Sequence, residues 1–140
     1  LRLVMGGSTL ERHSRHRITL VLTRDLDAPG AARHAFDAID HGLDHDREYA
    51  VKLLMSELVS NAVKYGGEGP LIVEIERSPA CIRVEVDDRG PAFIPMRRDT
   101  DNDSIGGWGF VLVEQLASRW GSSIRSAQVW FEIDAAPTSG

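Results

Sequence analysis

The segment ELVSNAVKYGG, residues 57–67, sets a glutamate, an asparagine and a lysine into what otherwise reads as the end of an apolar helix. On a helical wheel at about 100° per residue, with Val51 as origin, Val51, Leu54, Met55, Leu58, Ala62 and Tyr65 lie within about 60° of the origin. Glu57, Asn61 and Lys64 gather at roughly 220° to 280°, one polar ridge bordering that stripe. The only lysines of the chain, Lys52 and Lys64, both lie on this helix. A mid-helix asparagine competes for backbone hydrogen bonds and carries a mild cost that needs some return. A carboxylate four residues before an amide oxygen can accept a hydroxyl proton while the amide oxygen ligates a hard cation such as Mg²⁺. A solvated helix flank uses the same residue types, so the ridge by itself leaves both readings open.

Two further stretches could carry chemistry. DRGPAFIP, Asp88 to Pro95, follows the strand pattern CIRVEVD and puts a carboxylate at a strand end, two residues before a glycine. Such a carboxylate suits a hydrogen-bond donor like the exocyclic amine of adenine, with Gly90 allowing close approach; a plain turn uses the same residues. GGWGF, Gly106 to Phe110, precedes a helical pattern, so its glycines can present backbone N–H groups and the positive end of a helix dipole to an anion, or serve as a flexible hinge. No GxxxxGK[ST] occurs, and the dinucleotide fingerprint fails because Leu112 holds its third glycine position and no strand leads into it. The serines form no nucleophile elbow, and the histidines lack the spacing of a zinc site. His13 and His16 could share a metal, although a solvated basic arm accounts for RHSRHR more simply.

The elements that must position these residues can be read from periodicity. RITLVLTR puts Ile18, Leu20 and Leu22 on one face of a strand starting at Arg17. Asp27 offers an N-cap, Pro29 sits in the first turn, and Ala32, Phe36, Ile39 and Leu43 predict a helix over 28–43. Asp46 can cap a second helix to about Tyr65, with Gly66-Gly67 stopping it. Strands follow at 71–77 and 81–87, joined by Ser78-Pro79-Ala80. Residues 88–107 are rich in glycine, proline and charge, a length of loop that is usually functional. A helix over 109–120 through Val113, Leu116 and Trp120, then short strands near SSIRS and QVWFEI, complete the pattern, with Trp120 and Trp130 expected in the core. The order β-α-α-β-β-loop-α-β-β predicts an α+β two-layer sandwich with helices on one face of a mostly antiparallel sheet. The expected divisions are a flexible leader over 1–16, one domain over 17–134 and a fraying tail over 135–140.

The chain has 140 residues, enough for one domain; its net charge of −5 and 42% apolar content are those of an ordinary globular protein and give no reason to expect direct nucleic-acid binding. Cys81 is alone, so no intramolecular disulfide can form, and no apolar run approaches a membrane span. A cytoplasmic location without membrane association is the expectation.

Taken in order, the motifs run helix with E-x-x-x-N, strand with D-x-G, long loop, then G-x-G opening a helix. That order resembles the GHKL (histidine-kinase-like) ATPase family, with its N, G1 and G2 boxes, in the branch of bacterial anti-sigma-factor serine/threonine kinases. ELVSNAVKYG, VDDRGPAFIP, GGWGFVLVEQLASRWG and VWFEI carry the likeness, from about residue 17 to 133. The resemblance implies a Bergerat ATP-binding fold, with helices on one face of a mixed sheet, and ATP and Mg²⁺ as cofactors. It implies Glu57 as general base, Asn61 as Mg²⁺ ligand and Lys64 facing phosphate. Asp88 would read the adenine amino group beside Gly90, Gly107 and Gly109 would bring backbone amides to the phosphates, and Phe110 completes the nucleotide-binding set. Residues 93–106 would form a lid. Ala92 stands where many members carry a second glycine, and Ser126-Ala127 where many carry Gly-Thr. The implied activity is phosphorylation of an anti-anti-sigma-type protein, with sequestration of a sigma factor in an alternative complex. A nucleotide-binding regulatory module without phosphotransfer is the alternative. A homodimer is implied by the resemblance alone.

Overall fold

Alternation of apolar and polar residues builds the sheet. In the computed structural model, which describes residues 2–6 (as backbone), 16–88, 112–123 and 128–135, every second residue of β2 (His16–Leu22), β3 (Leu71–Arg77), β4 (Cys81–Asp87) and β6 (Gln128–Asp134) turns inward. With β1 (Arg2–Gly6) and β5 (Arg119–Ser123) these strands form a six-stranded sheet in the order β1-β2-β3-β4-β6-β5. All the described pairings are antiparallel. Helices α1 (Ala28–Asp37) and α2 (His45–Tyr65) cover one face, giving the open α+β sandwich expected.

Register decides what that face presents. Ile18 lies opposite Ile75, Ile75 opposite Val84, Val84 opposite Phe131, and Phe131 opposite Trp120, so one apolar row crosses from β2 to β5. Leu20, Val73, Val86 and Val129 make the next row. Against these pack Ala28, Ala32 and Phe36 of α1 and Val51, Leu54, Met55, Leu58, Val59 and Ala62 of α2, all buried. Burying a Leu- or Phe-sized side chain contributes roughly 1.5–3 kcal/mol, so this layer contact is what holds α2 in place. Among the described residues no helix is long and apolar enough to cross a membrane.

Several boundaries differ from expectation for local reasons. Residues 2–6, expected in a flexible leader, pair with β2 at the sheet edge. Helix α1 ends at Asp37 rather than 43: Gly42 takes a left-handed φ of 67°, and the His41 ring stacks on Phe36 at 4.7 Å while its Nδ1 accepts from Leu43 N. Ile39 and Leu43 still pack on the core from the connection. Asp27 stands at the N-cap position without a side-chain cap bond. Asp44, not Asp46, caps α2, accepting from Arg47 N at 2.8 Å. Trp120 belongs to β5, which begins at Arg119, ahead of the strand expected near SSIRS; the helix described from 112 ends at 116 rather than 120. Trp130, expected in the core, sits on the outer face, where the Arg83 guanidinium lies 4.2 Å from its ring centroid. Gly121 opposite it has no side chain because a Cβ would come within 3.0 Å of that indole.

Candidate functional site

Helix α2 sorts its polar ridge by depth. Asn61 is buried at 4% exposure, Glu57 is half-buried and Lys64 is exposed. The ridge is therefore not a uniformly solvated flank. The Asn61 Oδ1 is buried and has no hydrogen-bond partner among the described residues. Such an atom costs about 1–3 kcal/mol, which is unusual in a native core and marks a group shaped for something besides packing.

The last turn of α2 meets the end of β4. Gly66 closes the helix as expected, its N–H donating to Ala62 O, with φ at −84°, so its role is not to supply a left-handed backbone. Glycine is required there for another reason: a Cβ would overlap both carboxylate oxygens of Asp88 and the Ala62 carbonyl. Asp88, the first residue after β4, is fully buried. Its Oδ1 accepts from Arg24 Nη1 at 2.6 Å, and the N–H of Gly67 donates to both carboxylate oxygens at 3.2 Å.

Arg24 escaped sequence reasoning. It lies just past β2 and donates to Ala62 O at 2.8 Å, Gly69 O at 2.9 Å and Asp88 O at 2.7 Å as well as to the Asp88 carboxylate. A lone arginine after a strand has no spacing signature. Its partners become visible only once the sheet order puts the C-terminal end of β2 beside β3 and, through it, near β4. Placed at the C-terminal end of α2, the guanidinium answers both the helix dipole and a carboxylate that the dipole would otherwise repel.

On the N-terminal side of Asn61, Glu57 borders a groove of about 620 Å³ between the helices, shared with Arg33, Tyr49, Lys52, Leu53 and Ser56. Arg33 Nη1 donates to Ser56 Oγ at 2.8 Å, and Lys52 pairs with Asp37 at 2.6 Å. Tyr49 is 66% exposed at its rim.

The structure thus places Asn61 next to Ala62, whose carbonyl shares the Arg24 guanidinium with Asp88, and sets Glu57 one turn away toward the open groove. Gly90, Gly107, Gly109 and Phe110, with the expected lid over 93–106, Ala92 and Ser126-Ala127, lie outside the described residues; so does His13. No group of three or more metal-ligating side chains occurs among the described residues, so a cation at Asn61 would draw on its amide oxygen with water and ligand oxygens, a set that Mg²⁺ accepts.

A comparison with curated proteins yields no match. The family model of the histidine kinase-like ATPase domain matches residues 22–130. That span runs from the end of β2 into β6 and includes Asn61, Asp88 and Arg24. With most of its length matched, and with helices laid on one face of an antiparallel sheet, the chain belongs to the histidine kinase-like ATPase domain family.

Proposed function

We propose that the ATP-binding module in this chain serves as a nucleotide-dependent regulator, binding Mg-ATP at the C-terminal half of α2 and using nucleotide state to set its grip on a partner protein. The observation that carries this reading is the buried Asn61 Oδ1, without a partner among the described residues, on the same turn of helix as the carbonyl that Arg24 ties to Asp88. Asn61 would hold Mg²⁺ through its amide oxygen, and Asp88 would accept from the adenine amine. Lys64, exposed beyond Asn61, is available to a phosphate. The cation, when bound, neutralises charge on the phosphate oxygens.

A second reading has its own support. Glu57 is half-buried at the edge of an open groove whose rim carries exposed Tyr49, room for a protein segment beside a candidate base. In that reading the chain is a serine/threonine kinase acting on an anti-anti-sigma-type protein, with a sigma factor as the alternative partner. Glu57 takes the proton of the acceptor serine as its oxygen bonds to the γ-phosphorus and ADP leaves.

Calorimetric titration with Mg-ATP, followed by incubation with labelled ATP and a serine-bearing partner of this kind, separates the two. Binding that changes partner affinity without transfer of label is the expected result. Transfer of label would establish the kinase instead, and absence of nucleotide binding would overturn both.

A further inference from the structure

Arg24 directs two of its hydrogen bonds to the side chain and the carbonyl of Asp88 and the rest to the carbonyls of Ala62, Glu68 and Gly69 around it. A carboxylate offers about four lone-pair sites. Among the described residues, Oδ1 of Asp88 takes both Arg24 Nη1, at 2.6 Å, and the Gly67 N–H, at 3.2 Å, while Oδ2 takes only a share of the Gly67 N–H at 3.2 Å. Oδ1 is filled by the protein itself, and acceptor capacity is left on Oδ2, which is buried with the rest of the side chain and lies against Gly66. Arg24 Nη2 also holds the carbonyl of Asp88 at 2.7 Å, so the backbone and side chain of that residue are fixed by one guanidinium. The same guanidinium is anchored to Ala62 O and Gly69 O, which refer Asp88 to the last turn of α2 and the turn after it. Gly66 packs so closely that a Cβ there would overlap both carboxylate oxygens, which blocks rotation toward the helix.

We propose that Arg24 is a positioning residue for base recognition: by occupying Oδ1 and locking the Asp88 backbone, it presents Oδ2 as the acceptor for an exocyclic amine. The inference rests on the ATP-binding reading above. Arg24 acts through Asp88. The planar fork is what the geometry needs, because separate nitrogens of one group reach the side chain and the main chain of the same residue; a lysine ammonium is a single point and cannot hold that spacing.

The test reads base preference rather than affinity alone. Inosine triphosphate replaces the 6-amino donor by a carbonyl, so a fixed acceptor at Oδ2 favours ATP over it. The intact chain is titrated with Mg-ATP and Mg-ITP as wild type, Arg24→Met, Arg24→Lys, Asp88→Asn and the Arg24→Met/Asp88→Asn double variant. The expected result is an ATP preference in wild type that falls about tenfold in Arg24→Met, the size of one charge-assisted hydrogen bond, and by an intermediate factor in Arg24→Lys. In the Asp88→Asn background, Arg24→Met should change the preference no further. Equal weakening of both nucleotides would reduce Arg24 to a fold-stabilising role and overturn the proposal. Tighter ATP binding in Arg24→Met would overturn it too, by showing that Arg24 competes with the ligand for Asp88. If Arg24→Met does not fold, Arg24→Lys with an unchanged preference overturns it alone. Wild type that binds neither nucleotide defeats the ATP-binding reading, whereas wild type that binds both equally defeats base reading by Asp88 and this assignment with it.

Discussion

Two polar regions of the molecule lie on opposite sides of the sheet and are satisfied in opposite ways. On the outer face, Arg17, Glu76, Arg83, Glu132 and Arg119 face one another strand by strand from β2 to β5, alternating in sign. Arg17 meets Glu76 at 3.0 Å, Arg83 meets Glu132 at 3.1 Å, and Arg119 meets Glu132 at 2.6 Å and also Asp134. That ladder satisfies itself within the chain. On α2, by contrast, Asn61 is buried with its oxygen unpartnered among the described residues, one turn from a half-buried glutamate. The difference teaches where to look for chemistry. A large, conspicuous charge array can be sheet cohesion, while a single buried amide oxygen without a partner among the described residues is the better place to test for a ligand.

The sharpest way to break this contrast is Glu57→Gln. If the groove reading with phosphotransfer holds, transfer falls by roughly 10²–10⁴-fold, the contribution of a positioned base, while Mg-ATP affinity is kept. Label transfer at the wild-type rate would remove Glu57 from any catalytic role. Next in size is Asn61→Leu, which keeps the branched four-heavy-atom shape of the native side chain without its polar atoms. Losing a cation ligand should weaken Mg-ATP binding by about tenfold or more, an interaction of about 1.4 kcal/mol. Yet the ligand-free protein should hold its melting temperature or gain, since an orphaned oxygen costing about 1–3 kcal/mol is removed. A variant that unfolds more easily and binds as well as wild type would make Asn61 a structural residue.

Both regions differ as much in legibility as in role. The inward alternation of Ile18, Leu20 and Leu22, of 71–77 and of 81–87, and the ridge on α2 were readable because period two and period 3.6 are written in local spacing. Trp120 packs on the core as expected but from a strand, because an aromatic near a helix-to-strand boundary fits either period; Trp130 lies in the expected strand but on its outer face, which only the pairing with Gly121 and the Arg83 contact decide. Arg24 was invisible for a stronger reason. Its partners are 38 to 64 residues away, so no window along the chain contains them. The outer ladder hid in the same manner, as ordinary alternate charges whose complementarity exists only across strands. Asp44 was passed over for Asp46 because both are plausible caps and the choice depends on where the preceding connection turns at Gly42.

The ladder predicts the smallest effect. The side-chain hydrogen bond from Arg119 holds the Glu132 carboxyl below its usual range, with Arg83 adding to it, and the Arg119 bond does the same for Asp134. A carboxylate whose pKa is lower in the folded protein than in the unfolded chain stabilises the fold fully above the unfolded value. That stability drains away as pH falls below about 4.5 for Glu132 and through its folded pKa. Because Arg119 is half exposed, solvent screens much of the interaction. Glu132→Gln should therefore cost about 1 kcal/mol or less at pH 7, less still in 1 M salt, with the variant and wild type converging as pH falls through the folded pKa of Glu132. Thermal melts across that pH range measure it. Nucleotide affinity should not move with this substitution, since the ladder is on the face of the sheet away from α2. A change in Mg-ATP binding larger than the change in stability would mean that the two faces are coupled and that the charged ladder belongs to the site.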